Sequence, residues 1–213
     1  MRRKKTIAIV GAGGFGREVY DLLTMMNHVK REWKMVGFVA SDRPTCPSQA
    51  NISWLGTDDD YLRAPCATHF VVAIADPRLR RSVVELYEGV GLTPATLVHP
   101  DADVSRHVTV GSGSIVCSRS NVSADVVIGN HVIVDRLSSV AHDVNIASFA
   151  TICPASTLLG GVAIEEEVLI GASSCILPFV TVQREAVVGA GAVVTKDVPE
   201  RAVVAGVPAR ERK

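Results

Sequence analysis

A six-residue repeat runs without interruption through the second half of the chain. From Val98 to Pro199 every sixth residue is aliphatic, and the residue four places after it is Ala, Ser or Val. A period of six fits neither an amphipathic helix nor a single strand. It is typical of a parallel β-helix, in which each hexad forms one short side of a coil. Three hexads complete a coil, so the register predicts that residues 18 apart in sequence lie directly above one another.

Charge and cysteine content narrow the classes of partner and the compartment. Acidic and basic residues balance at 22 each, so no basic surface indicates a nucleic acid as partner. The longest apolar runs are far shorter than the ~20 residues that a membrane span requires. The five cysteines form no CxxC pair, which is typical of reduced thiols in a cytoplasmic protein. We therefore expect a cytoplasmic protein that binds neither nucleic acid nor membrane.

Residues 1–97 follow a different pattern, in which apolar strands alternate with amphipathic helices. Such alternation favours a small parallel sheet with Rossmann-like winding. The sequence therefore predicts a Rossmann-like α/β domain over 1–97, followed by a parallel β-helix domain over 98–213. The predicted elements of the first domain include strands at Thr6–Val10, Met35–Ala40 and Phe70–Ala75, and a helix at Arg17–Met26.

A second helix is predicted to begin at Pro77, because proline is favoured in the first turn of a helix. Leu79, Val83, Leu86 and Val90 follow at helical spacing. We expect these four side chains to form the buried apolar face of the helix.

A glycine-rich segment, Gly11–Gly16, matches the pattern GxGxxG between the first strand and the first helix. Such glycines let backbone N–H groups approach a phosphate at a helix N-terminus. An NAD site usually also has an acid at the end of the second strand, but here that strand ends Val39-Ala40-Ser41, with Asp42 one place later. The missing acid favours a site for the phosphate or nucleotide of another ligand over an NAD site. NAD binding and a simple tight turn remain the alternatives.

Three histidines occupy outward positions of the repeat. His107 and His131 stand at the fourth place of their hexads and His142 at the third. A catalytic zinc site would need three imidazoles that converge on one ion. The separations of these residues place none of them in one column, so no metal is predicted.

The His142-Asp143 pair has a distinctive neighbour in the predicted column. Gly160 comes 18 residues after His142, so a bare glycine with an accessible N–H should lie one coil above the imidazole. A base beside an N–H donor is the arrangement that acyl transfer requires, and Asp143 could orient the ring. A surface His–Asp pair beside turn glycines is the alternative interpretation.

The repeat, the GAGGFG segment, Ser139–Asp143 and the ending Val204–Arg210 together resemble the bacterial sugar acyltransferases. These include the nucleotide-linked 4-amino-sugar N-acetyltransferases of bacillosamine and perosamine biosynthesis and the sialic acid O-acetyltransferases. The resemblance covers nearly the whole chain. It implies a left-handed parallel β-helix, a homotrimer, and acetyl-CoA bound between neighbouring β-helices without a metal.

The resemblance also implies roles for individual residues of the repeat. His142 matches the general base, Asp143 matches the acid that supports it, and the Gly160 N–H matches the group that faces the thioester oxygen. The contacts to coenzyme A map to Thr151, Gly161 and Ala172.

The nucleotide sugar maps to the first domain, at Gly13, Gly14 and Phe15. Many family members carry paired acids after the second strand and Gly-Asn in the fourth-strand segment. This chain has Ala40-Ser41 and Ala75-Asp76 there, so Asp42 and Asp76 become the candidate contacts.

The resemblance therefore predicts transfer of an acetyl group from acetyl-CoA to the 4-amino group of a nucleotide-linked 4-amino-4,6-dideoxysugar. The amine would attack directly, because one cleft holding both substrates needs no covalent acyl-enzyme. The alternatives are O-acetylation of a sialic acid or related sugar hydroxyl, and a trimeric scaffold or ligand-binding module without turnover. Whether the nucleotide is UDP, GDP or dTDP stays open.

Overall fold

The computed structural model describes residues 5–45 and 52–212. The chain divides into two compact units. The first comprises Met1–Ala75 and Leu79–Pro100, and the second comprises Asp76–Arg78 and Asp101–Lys213.

The first unit contains a four-stranded sheet whose strand order is β2-β1-β3-β4, with all neighbours parallel. Helices alternate with these strands along the chain, which confirms the predicted α/β class. The elements are β1 (Lys5–Val10), α1 (Gly14–Val29), β2 (Trp33–Val39), α2 (Asp58–Arg63), β3 (His69–Val72), α3 (Pro77–Gly89) and β4 (Thr93–Pro94).

Helix α1 begins at Gly14, three residues before the predicted start at Arg17. Gly13 precedes it in an extended conformation, with φ −71° and ψ −164°. The predicted spacing of its apolar residues is observed, because Val19, Leu22 and Leu23 are buried.

The predicted apolar face of α3 is wrong. Leu79, Leu86 and Val90 are exposed, and of the predicted four only Val83 is buried. Tyr87 is fully buried instead, because its ring packs against Phe70 and Tyr61 and its hydroxyl donates a hydrogen bond to Asp58 at 2.6 Å.

Arg80 is also buried in α3, where its guanidinium donates to the carbonyl oxygens of Ile74 and Ala75 at 2.7 and 3.1 Å. The buried side of α3 is therefore the one that carries Arg80 and Tyr87, because their polar groups form hydrogen bonds inside the fold. It is not the side that hydropathy indicated.

The second unit is a parallel β-helix whose sides are very short strands. After β5 (Leu97–Val98), which belongs to the first unit, its strands are β6 (Asp103–Val104), β7 (Thr109–Val110), β8 (Ile115–Val116), β9 (Asn121–Val122), β10 (Val127–Ile128), β11 (Ile133–Val134), β12 (Ser139–Val140), β13 (Asn145–Ile146), β14 (Thr151–Ile152), β15 (Thr157–Leu158), β16 (Ala163–Ile164), β17 (Leu169–Ile170), β18 (Cys175–Ile176), β19 (Thr181–Val182), β20 (Val187–Val188), β21 (Val193–Val194), β22 (Val203–Ala205) and β23 (Arg210–Glu211). Face A contains β8, β11, β14, β17, β20 and β22, and β23 pairs antiparallel with β22. Face B contains β7, β10, β13, β16 and β19, and face C contains β6, β9, β12, β15, β18 and β21.

Strand pairing confirms the predicted 18-residue column. Ser139 pairs with Thr157 and Val140 with Leu158, and both pairs are parallel. The aliphatic residue of each hexad points into the coil; Val140 and Leu158, for example, are fully buried. The core is therefore one continuous aliphatic column, and the remaining positions of each hexad can serve the surface.

The corners of the β-helix from Gly113 to Gly191 turn through residues with positive φ. From Gly113 to Gly191 the fourth place of every hexad has this conformation, with φ between +56° at His131 and +72° at Gly113. Side chains other than glycine rarely adopt such angles. The coil imposes the conformation here, and the third and fourth residues of each hexad form the outer edge of the corner.

Candidate active site

The His142-Asp143 pair lies at the corner between faces C and B, in the turn between β12 and β13. The His142 Nδ1 and an Asp143 carboxylate oxygen are 2.7 Å apart, and both side chains are 65% exposed. A carboxylate only accepts hydrogen bonds, so Nδ1 must carry the proton in this pair. The Nε2 of a neutral ring then keeps its lone pair, ready to accept a proton from a bound substrate.

Gly160 lies directly over the imidazole, at the same corner of the next coil. A Cβ atom at this position would lie 2.8 Å from Cε1 and 3.0 Å from Nε2 of His142, so only glycine leaves room for the ring. Within the described part of the chain the Gly160 N–H makes no hydrogen bond. The corner therefore presents a lone pair and a backbone donor side by side. This arrangement can take a proton from a nucleophile and stabilise an oxyanion.

Gly161 follows with φ +70°, and its N–H donates to the carbonyl oxygen of His142 at 3.1 Å. This N–H therefore joins two coils, and the contact of Gly161 with coenzyme A stays a prediction. A Cβ at Gly161 would lie 2.5 Å from the ring of Phe179, which extends from the coil above. Phe179 is 81% exposed, and its N–H donates to the Gly160 carbonyl at 3.1 Å.

Phe179 is a neighbour of the His142 corner that the sequence reasoning missed. The signal was present, because Phe179 stands 18 residues after Gly161 at the same place of its hexad.

The two other predicted cofactor contacts lie elsewhere on the β-helix. Thr151 is on β14 of face A and is 1% exposed. Ala172 lies at the corner between faces A and C, where its carbonyl accepts a hydrogen bond from Gly191 at 2.8 Å. The coil brings neither residue to the His142 corner, so their contact with coenzyme A stays a prediction.

A cleft of about 470 Å³ lies in the first unit, at the carboxyl ends of β1 and β2. Gly13 and Asp42, both predicted as substrate contacts, line this cleft. A Cβ at Gly13 would meet no atom within 4 Å, so the backbone there is open to a ligand beside the N-terminus of α1. The lining residues are Val10, Gly11, Ala12, Gly13, Val39, Ala40, Ser41, Asp42, Arg43, Pro44, Thr45, Asp58, Ile74, Leu79 and Val83.

The other two glycines of the GxGxxG pattern, Gly11 and Gly16, are required by backbone packing. Gly11 has φ +100°, and a Cβ there would lie 2.9 Å from the Ala73 carbonyl. A Cβ at Gly16 would collide with the Gly11 carbonyl, so the bare glycine lets α1 pack closely on the turn. Gly13 is therefore the glycine of the GxGxxG pattern that faces open space.

Three predicted substrate contacts do not line this cleft. Gly14 and Phe15 are the first two residues of α1, and Asp76 is exposed directly before α3. The structure adds Asp58, which lies at the start of α2 and accepts the Tyr87 hydrogen bond. Burial raises the pKa of Tyr87, so its hydroxyl keeps its proton and acts as donor. Sequence spacing could not indicate Asp58, because the tertiary fold alone brings α2 to the cleft.

No group of three His, Cys, Asp or Glu side chains in residues 5–45 and 52–212 is arranged to hold a metal ion. His131 stacks on Phe149, with ring centroids 5.0 Å apart and an interplanar angle of 12°. In the same described ranges, every helix is too short or too polar to cross a bilayer.

The fold and the corner site define a hexapeptide-repeat β-helix protein with an α/β domain before the repeat. Residues 6–87 match the family model described as the PglD N-terminal domain. A curated relative, GDP-perosamine N-acetyltransferase from Escherichia coli O157:H7, is 34% identical over 110 residues, which are 51% of this chain and 49% of that protein. The aligned stretch thus spans about half the length of this relative.

Two solved structures match nearly the whole chain. The acetyltransferase domain of PglB from Neisseria gonorrhoeae, in complex with acetyl coenzyme A, is 31% identical with a TM-score of 0.89; the match covers 99% of this chain and 100% of that one. PerB from Caulobacter crescentus, in complex with CoA and GDP-perosamine, is 30% identical with a TM-score of 0.89, over 98% and 97% of the two chains.

The chain belongs to the hexapeptide-repeat family of bacterial sugar acyltransferases. Its fold is a Rossmann-like α/β domain followed by a left-handed parallel β-helix, as predicted from the sequence.

Proposed function

We propose that the protein transfers an acetyl group from acetyl-CoA to the 4-amino group of a nucleotide-linked 4-amino-4,6-dideoxysugar, of the UDP-bacillosamine or GDP-perosamine type. The observation that carries the proposal is the His142 corner. There an imidazole oriented by Asp143 packs against Gly160, whose N–H makes no hydrogen bond within the described residues. The relatives bound to acetyl coenzyme A, or to CoA and GDP-perosamine, support the choice of donor and acceptor.

The chemistry follows from the roles of these groups. The amine nitrogen of the sugar attacks the thioester carbon, and a C–N bond forms. The carbonyl oxygen gains negative charge and accepts a hydrogen bond from the Gly160 N–H. Nε2 of His142 takes the proton from the nitrogen, while Asp143 holds the ring by Nδ1. The C–S bond then breaks, and the departing sulfur receives the proton from His142.

The cleft of the first unit is proposed to hold the nucleotide. Gly13 presents open backbone beside the N-terminus of α1, where a diphosphate is stabilised by free N–H groups and the helix dipole. Asp42 lines the same cleft and can accept hydrogen bonds from ribose hydroxyls or a base. Gly14, Phe15 and Asp76 remain proposed contacts on the resemblance alone.

A homotrimer is proposed as the active assembly. His142 and Ala172 lie at different corners of the β-helix. One extended coenzyme A molecule could contact both corners if the second came from a neighbouring copy, which favours a site between subunits. Thr151 is included among the proposed cofactor contacts on the resemblance. The four described cysteines form no disulfide with one another, and this supports the proposed cytoplasmic location; Cys46 lies outside the described residues.

The test is release of free coenzyme A from acetyl-CoA with a panel of UDP-, GDP- and dTDP-linked 4-amino sugars and a sialic acid. We expect release above background with at least one amino sugar, and a product that resists hydroxylamine because it is an amide. A hydroxylamine-labile ester formed from the sialic acid would instead establish O-acetylation. No release with any acceptor, at enzyme concentrations that bind coenzyme A, would favour a binding module without turnover.

A further inference from the structure

Two aromatic rings enclose the Gly160-Gly161 peptide. The imidazole of His142 approaches from the coil below and occupies the space of a Gly160 Cβ. The phenyl ring of Phe179 approaches from the coil above and occupies the space of a Gly161 Cβ. Each ring therefore depends on its own bare glycine. The proposed mechanism uses only the His142 ring.

The order along the β-helix axis places Phe179 on the side opposite His142. Successive coils are separated by ~4.8 Å, the spacing of neighbouring strands. The acceptor amine must reach Nε2 of His142, and the carbonyl oxygen of the donor must reach the Gly160 N–H. The sulfur arm of the donor occupies a different position around the same carbon. The side chain next to this position is the Phe179 ring, to which no other part of a substrate has been assigned.

The apolar character of the Phe179 ring also favours contact with the sulfur arm of the donor. Phe179 is 81% exposed, which is unusual for a large aromatic side chain held at a fixed corner. Its N–H bond to the Gly160 carbonyl ties its backbone to the proposed oxyanion site. The thioester sulfur and the two CH₂ groups beyond it form an apolar stretch of the donor beside the reacting carbon, and sulfur contacts aromatic rings favourably. The acceptor amine is directed instead to Nε2 of His142, on the other side of Gly160.

We propose that Phe179 is a donor-binding residue whose ring packs against the mercaptoethylamine arm of the acyl-CoA. The proposal rests on the acetyl-transfer function proposed above. In this arrangement the Phe179 ring contacts the donor, and the acceptor binds on the His142 side.

The test compares Phe179→Ala with the unaltered protein in two assays. Calorimetric titration with coenzyme A should show a Kd raised roughly tenfold, as expected for losing one apolar contact of moderate area. Steady-state rates should show a KM for acetyl-CoA raised by a similar factor. The KM for the amino-sugar nucleotide should stay within about twofold. Phe179→Tyr should restore both donor constants, because it keeps the ring.

A truncated donor sharpens the assignment. S-acetyl-N-acetylcysteamine keeps the mercaptoethylamine arm but lacks the nucleotide, so Phe179→Ala should weaken this donor by the same factor as acetyl-CoA. An effect that disappears with the truncated donor would assign Phe179 to the nucleotide end and overturn the proposal. A raised KM for the sugar alone would overturn it as well.

Two further measurements separate the possible failures. Val29→Ala truncates another highly exposed apolar side chain, in the first unit, and should change none of these constants. If Phe179→Ala changes the mass of the assembly in solution, the ring contacts a second copy and the proposal is wrong. If the unaltered protein does not bind coenzyme A, the proposed function itself fails. If it binds coenzyme A and Phe179→Ala binds equally well, only the role of Phe179 fails.

Discussion

His142 and His131 lie at two corners of the same β-helix, and the two side chains have opposite surroundings. His142 lies at the corner between faces C and B, where its side chain is 65% exposed. His131 lies at the corner between faces B and A and is only 6% exposed. The coil geometry is the same at both corners, so the residue type alone does not decide whether a histidine serves structure or chemistry.

The place within the hexad and the residues in the adjacent coils account for the difference. His131 stands at the fourth place, with φ +56°, and its ring lies against the bare Gly113 of the coil below while Phe149 stacks on it from the coil above. His142 stands at the third place, and its ring lies against Gly160 of the coil above. Its neighbour Asp143 occupies the fourth place and points its carboxylate at Nδ1. The stacked ring of His131 and the exposed ring of His142 therefore differ in their place in the repeat and in the neighbours above and below them, since His107, also at the fourth place, is exposed.

The His142→Asn variant tests this comparison with the largest expected effect, which is on catalysis. We expect kcat/KM to fall by on the order of 10²–10⁴, the usual cost of losing a general base. The thermal midpoint should not change, because the ring is exposed. The measurement is steady-state kinetics with the best acceptor of the panel, together with thermal unfolding. Activity equal to the unaltered protein would remove His142 from the mechanism.

Gly160→Ala should have the next largest effect. The new methyl group would lie 2.8–3.0 Å from the imidazole, so the ring must move while the backbone N–H remains. We expect kcat to fall on the order of 10–100-fold, because misplacing a catalytic group by about 1 Å has costs of this size.

The double variant His142→Asn with Gly160→Ala is the control for that interpretation. If Gly160→Ala acts by displacing the imidazole, the double variant should be no slower than His142→Asn alone. A further loss of activity in the double variant would mean that the methyl group also blocks a substrate.

His131→Ala should have the smallest effect on catalysis and a measurable effect on stability. Removing a buried ring that stacks on Phe149 leaves a cavity, and the free energy of unfolding should fall by about 1–3 kcal/mol. Chemical denaturation measures this change, with His142→Ala as the exposed counterpart that should leave stability unaltered. A fall in kcat/KM of the folded His131→Ala protein beyond about twofold would contradict the division of roles between the two corners.

The first unit was less predictable than the repeat. The sequence predicted β1, β2, β3, α1 and α3, but not α2 and β4. It also missed the buried face of α3, because hydropathy ranks Arg80 and Tyr87 as polar although both are buried in the fold. Their polar atoms find carbonyl and carboxylate partners that lie far away in the chain or beyond a turn. Asp58 reaches the cleft through α2, a short helix that the sequence analysis missed although Thr57 and Asp60 form a capping box at its start.

Within the β-helix, the sequence by itself determined the register, the inward aliphatic column and the position of Gly160 over His142. It could do so because each coil pairs with the next at a fixed offset of 18 residues, so a local repeat specifies a tertiary contact. Only the tertiary structure decided that the Phe179 ring packs on Gly161, that Asp42 and Asp58 line one cleft, and which side of α3 is buried. The Phe179 contact follows the 18-residue offset but depends on the direction of the side chain, and the cleft and the α3 face depend on contacts between segments whose spacing follows no repeat.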